Sequence, residues 1–167
     1  MSQESLRRRL LAEFLGSAFL LATIVGSGIM AARLAGGNEA LALLCNALPT
    51  GAMLVVLITV FAPLSGAHFN PVVSLALAMA RHFEWRDFPL YVLVQGIGAI
   101  VGVWAAHAMF ELPLSQIAAT VRTGPGQWVA EAVATFGLVL AIFGCAARNP
   151  GTLPSPTTGL PPLPRRP

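Results

Sequence analysis

Charged residues fall in short clusters along this chain, and the stretches between them are almost wholly apolar. Four apolar stretches stand out, at about 10–32, 40–61, 89–110 and 127–146. Each is close to the roughly 20 residues that an α-helix needs to cross the hydrocarbon core of a bilayer. A fifth run, Val72 to Ala80, is too short to cross on its own. It follows Ser65-Gly66-Ala67-His68-Phe69-Asn70-Pro71, so residues 62–80 read as a re-entrant loop that turns into a half-length helix. Asn70 suits an N-cap, because its side chain can accept a backbone N–H bond from the first turn. Pro71 then takes the first helical position, where a missing N–H costs nothing. Irregular backbone is tolerated at membrane depth only where it is buried in protein or lines a water-filled path. The pattern predicts an all-α membrane protein with four transmembrane helices and one half-helix, and it suggests a pore.

The chain also carries an internal repeat. Ala12-Glu13 opens the first span and Ala130-Glu131 opens the fourth, 118 positions later. In the same register Leu20 matches Leu138, Ile24 matches Ile142 and Gly26 matches Gly144. With three spans between the two starts, the second copy enters the membrane from the opposite side, which is an inverted repeat. The same offset applied to Asn70 points to a position beyond the last residue, Pro167.

Ser65-Gly66-Ala67-His68-x-Asn70-Pro71 resembles the first signature of the aquaporin and glycerol-facilitator channels, and most closely a bacterial branch of solute-permeable members. The family signature ends Asn-Pro-Ala, and here Val72 replaces the alanine. The resemblance covers roughly residues 5–146, the first half of an aquaporin plus one helix. It implies an aquaporin-like bundle that passes water and small uncharged solutes such as glycerol, ammonia or arsenite-like hydroxides, in a tetramer. It also implies a chain truncated after the fourth span. On that expectation residues 1–147 are a partial channel domain and 148–167 a Pro-rich tail. The alternative is a non-conducting membrane fragment that associates with full-length subunits.

The resemblance assigns roles residue by residue. Asn70, Pro71 and Val72 form the pore signature, and the carbonyls of Gly66, Ala67 and His68 line the approach to it. Thr50, twenty residues before Asn70, falls at a selectivity-filter position where water-selective members place a bulky aromatic; a threonine bonded to its own helix backbone is the competing reading. Glu13, Gln95 and Glu131 are polar groups inside apolar spans. All three are expected to be structural buried polar groups, the acidic pair accepting hydrogen bonds from re-entrant loops, with Glu131 lacking its loop. Gly98 and Gly102 allow close helix approach, and Gly16, Gly26, Gly28 and Gly51 are candidates for the same use.

Composition narrows the classes. The chain is 56% hydrophobic and 10% charged, whereas a soluble domain carries about a quarter charged residues. All the basic residues are arginines scattered between apolar runs, so the sequence pI of about 9.7 does not indicate nucleic-acid binding. An N-terminus inside the cell puts Arg7, Arg8, Arg9, Arg81, Arg86, Arg148, Arg165 and Arg166 in the cytoplasm and only Arg33 and Arg122 outside. The positive-inside rule favours that orientation, with the tail also cytoplasmic, in a bacterial inner membrane. Cys45 and Cys145 read as packing residues. No Cys/His cluster has metal-ligand spacing and no nucleophile–base pair appears, so neither an enzyme nor a cofactor is expected.

Overall fold

The structure is a computed structural model and describes residues 3–116 and 123–148. Arg122, Arg165, Arg166 and the Pro-rich tail lie outside the described residues. The described residues form five helices and no strand: α1 (Gln3–Leu34), α2 (Glu39–Ser65), α3 (Pro71–Met79), α4 (Phe88–Met109) and α5 (Pro125–Arg148). Helices α1, α2, α4 and α5 are long and apolar enough to cross a membrane. The 9-residue α3 is the half-helix. Large apolar side chains such as Leu43, Leu48, Val55, Leu93, Val133 and Phe136 face outward. In a bilayer this surface meets lipid, and the chain is an integral membrane protein.

The two largest shifts from the expected bounds are outward. Helix α1 begins at Gln3 and takes in the three arginines. Helix α2 runs to Ser65, where Gly66 ends it in the left-handed conformation (φ 91°) with its N–H on the Ala62 carbonyl. The irregular segment between α2 and α3 is therefore only Gly66 to Asn70.

Helix α1 is the centre of the bundle, packed on α2 and α4. Lipid tails are as apolar as leucine, so helices in a membrane associate through close packing rather than through exclusion of water. Small residues make that possible here. A Cβ at Gly98 would collide with the Phe14 carbonyl, and one at Gly102 with the Ala18 carbonyl. A Cβ at Gly16 would strike the ring of Phe69 in the re-entrant loop. Gly28 faces the Asn46 side chain, which donates to the Ile24 carbonyl (3.1 Å). Gly51 meets nothing within 4 Å and has no such packing use. Cys45 and Cys145 are exposed free thiols and do not pack in the core, because both lie on outward helix faces.

Polar bonds fix which ends of α1 and α4 meet. Arg9 bonds Asp87 (3.0 Å) at one end of the bundle. Arg33 donates to the Phe110 carbonyl (3.2 Å) at the other. Arg7, Arg8, Arg81 and Arg86 thus share the end that carries Arg9. Helix α3 lies against α4 and, lightly, against α5. Val73, Leu77, Ala78, Phe83 and Tyr91 form the core cluster there, with Leu138, Ile142 and Phe143 of α5 packed at its edge.

Candidate functional site

Glu13 is the organising group. It sits one turn after Arg9 on α1, fully buried. Its Oε1 accepts from the Ser65 hydroxyl (2.6 Å) and the His68 amide (3.0 Å). Its Oε2 accepts from the Phe69 amide (2.8 Å) and from Gln95 Nε2 (2.8 Å). A carboxylate offers about four acceptor positions, and four donors fill them. Without them the burial of this group would be prohibitive.

That arrangement explains an uncommon backbone. Ala67 (φ 51°) and Phe69 (φ 47°) are left-handed although neither is glycine. Each such residue costs of order 1 kcal/mol and persists where its surroundings over-determine it. Here the surroundings are the amide donors. Gly66 N–H is held by Ala62 O, Ala67 N–H by Ser65 Oγ (3.1 Å), and the next two by Glu13. The carbonyls tell the opposite story. Those of Gly66, Ala67 and His68 accept no hydrogen bond among the described residues. The segment has its donors tied and its acceptors open.

Beyond the loop, Asn70 caps α3 with extended backbone, its Oδ1 accepting from Val72 N–H (2.8 Å). Its amide donors meet no described residue, and Asn70 is half-buried. Pro71 stands at the first helical position and Val72 is exposed on the first turn. One turn on, the buried Ser74 hydroxyl donates to the Asn70 carbonyl (3.2 Å). It also accepts from Gln95 Nε2 (3.1 Å) and lies 2.9 Å from His68 Nδ1. A hydroxyl has one proton, so with that proton on Asn70 the His68 Nδ1 carries the hydrogen of their contact. The Gln95 amide orientation follows from the same accounting: turned over, its oxygen would face the Glu13 carboxylate. Gln95 Oε1 then stays buried without a hydrogen-bond partner among the described residues.

Thr50 stands apart from this cluster. Its hydroxyl donates to the Asn46 carbonyl (2.8 Å) of its own helix. Glu131 is also apart. It is exposed, not buried with Glu13 and Gln95, and makes no hydrogen bond or ion pair among the described residues. The reason is packing, since α5 touches only α3 and buries only Ala146. Glu131 borders an open groove of about 470 Å³ between α3 and α5, together with Val72, Leu75, Met79 and Phe136.

Three participants escape a motif-based reading: Ser74, Tyr91 and Arg9. Their signal is helical spacing. Arg9 and Glu13, Tyr91 and Gln95, and Asn70 and Ser74 are each four apart, and residues at that spacing share one helix face. Polar pairs on one face of otherwise apolar helices mark the inward side.

A glutamate on one spanning helix thus holds an irregular loop that opens a half-helix at Asn-Pro. The profile of the Major intrinsic protein family matches residues 1–163 of the chain. This chain belongs to that family. Among curated proteins, it is 52% identical over 143 residues to "Aquaglyceroporin AqpS" of Rhizobium meliloti, covering 86% of this chain and 61% of that protein. Over 144 residues it is 33% identical to "Aquaporin NIP1-1" of Zea mays, covering 85% of this chain and 50% of the relative. It is 31% identical over 147 residues to "Putative aquaporin NIP4-1" of Arabidopsis thaliana, with 86% and 50% covered. The chain therefore spans between about half and three-fifths of the length of these Major intrinsic protein relatives.

Proposed function

We propose that this chain contributes one half of a passive channel for water and small uncharged solutes. The observation that carries the proposal is the loop in which every amide from Gly66 to Phe69 is bonded while the carbonyls of Gly66, Ala67 and His68 accept no hydrogen bond among the described residues. Gly66 and Ala67 are half-buried, and backbone carbonyls need partners, from protein or from water. In a membrane the available partner is water or a solute hydroxyl passing along the row, which replaces lost hydration. At the end of the row, Asn70 offers amide donors while its oxygen caps α3. The N-terminus of α3 adds about half a positive charge there, which repels cations. Thr50 is then the small filter residue that admits solutes wider than water, and Val72 adds bulk where the second half of the pore meets α3. Membership of a family whose relatives are named aquaglyceroporin and aquaporin supports the same substrate class. The channel reading calls for no bond chemistry, cofactor or metal.

The native setting follows from the same reading. The end of the bundle bearing Arg7, Arg8, Arg81 and Arg86 faces the cytoplasm of a bacterial cell, in its inner membrane, by the positive-inside rule. The outward apolar faces meet lipid and neighbouring copies in a tetramer.

Osmotic swelling of proteoliposomes, followed by stopped-flow light scattering, tests the proposal. Water and glycerol gradients should produce flux above empty vesicles, and Asn70→Asp should change it. Flux equal to that of empty vesicles, with the protein shown to be inserted, would rule out conduction by this chain alone.

A further inference from the structure

The open carbonyls begin one residue after Ser65, and Ser65 is held from a direction the Glu13 cluster does not explain. The Tyr91 hydroxyl donates to the Ser65 carbonyl (2.9 Å). Ser65 closes α2, and its carbonyl is one of the last four that a helix leaves without an internal partner. A phenol has one proton, so with that proton on Ser65 the Tyr91 oxygen can only accept a further bond. Arg9 Nε donates that bond at 2.9 Å. The guanidinium is itself fixed. One terminal nitrogen donates to the buried Asp87 at 3.0 Å, and its carbon lies 5.6 Å from the centre of the Phe83 ring and 5.2 Å from that of Tyr91. The rings in turn flank His68, with centroids 4.9 Å (Phe83) and 5.1 Å (Tyr91) away. Asp87 and Tyr91 are one turn apart at the start of α4, so a single helix face carries both the anchor and the phenol.

We propose that Arg9 and Tyr91 are positioning residues for the re-entrant loop: Arg9, anchored on Asp87, aims the Tyr91 hydroxyl at the Ser65 carbonyl and so sets where the row of open carbonyls starts. The end of the chain that carries the arginine cluster is thereby coupled to the solute path through three consecutive hydrogen bonds. Among the described residues Arg9 makes no hydrogen bond to the row or to Asn70, and its hydrogen-bonded route to the loop runs through Tyr91. Lysine could not replace it, because a point-charge ammonium lacks the planar fork that reaches Tyr91 and Asp87 together. The consequence for solute passage rests on the channel reading above; the consequence for loop order does not.

The test uses the full chain in liposomes, with hydrogen–deuterium exchange of the 66–70 amides and water and glycerol permeability measured on the same samples. Tyr91→Phe keeps the ring against His68 and Phe83 and removes only the hydroxyl. It should speed exchange across 66–70 by about five- to tenfold, the effect of losing one net hydrogen bond, leave α4 amides at their original rates, and shift the glycerol-to-water permeability ratio. Arg9→Gln should do the same, Arg9→Lys should not restore the original rates, and the Arg9→Gln/Tyr91→Phe double variant should exchange no faster than Tyr91→Phe alone. Arg7→Gln should match the unsubstituted chain. Unchanged exchange in Tyr91→Phe, or additive effects in the double variant, would overturn the proposal. Faster loop exchange in these variants, with no flux from the unsubstituted chain, would uphold the relay and defeat the channel reading.

Discussion

Glu13 on α1 and Glu131 on α5 share a local pattern and meet opposite fates. Both follow alanine near the start of an apolar span, and the spans align in one register. Glu13 is fully buried and accepts from four donors. Glu131 is exposed beside a groove and accepts none among the described residues. The difference lies in what surrounds each helix. Helix α1 packs on two spanning helices and on the loop, whereas α5 leans only on α3. A carboxylate inside a span is a structural group where a segment of irregular backbone brings it amides. Elsewhere the same residue is an acceptor without donors.

Substitutions on the two sides should separate accordingly. Glu13→Ala strands a hydroxyl, two amides and a side-chain N–H, each costing about 1–3 kcal/mol when buried without a partner. Loss of the folded loop and a large drop in the detergent melting temperature are expected, while Glu131→Ala should stay within about 0.5 kcal/mol of the parent. Glycines give the next largest contrast. Gly98→Val drives a side chain into the Phe14 carbonyl and should cost about 1–3 kcal/mol. Gly137→Val on α5 meets nothing within 4 Å and should be silent in the same melt. Asn70→Ala removes the α3 cap and should cost about 1 kcal/mol, with lower glycerol flux than the parent in the swelling assay. The smallest effect is one of reactivity. In a background lacking Cys45 and Cys145, Glu131→Cys should react with a water-soluble thiol reagent and Ser17→Cys, buried on α1, should not.

The four spans and the half-helix are legible in the sequence because their causes are local. Apolar run length sets a span, and Asn70 before Pro71, ahead of an apolar run, favours a helix start. The end of α2 moved outward from Phe61 because the helix continues through Ala62, Pro63 and Leu64 to Ser65, where the left-handed Gly66 terminates it. Glu13 and Gln95 stand out as polar groups in apolar runs, but their partners do not. Ser74 and Tyr91 are ordinary in composition and become informative only when α1, α2, α3 and α4 are brought together. Glu131 shows the converse: its local pattern equals that of Glu13, and burial depends on packing that no local pattern contains.

The central claim is that the Glu13 carboxylate holds the re-entrant loop and Glu131 holds nothing comparable among the described residues. Hydrogen–deuterium exchange at the His68 and Phe69 amides, in Glu13→Gln and Glu131→Gln proteins reconstituted side by side, tests it most directly. The account predicts that Glu13→Gln speeds exchange at both amides by at least about tenfold, since a glutamine oxygen cannot accept four bonds, while Glu131→Gln leaves them unchanged. Equal exchange in the two variants would contradict it.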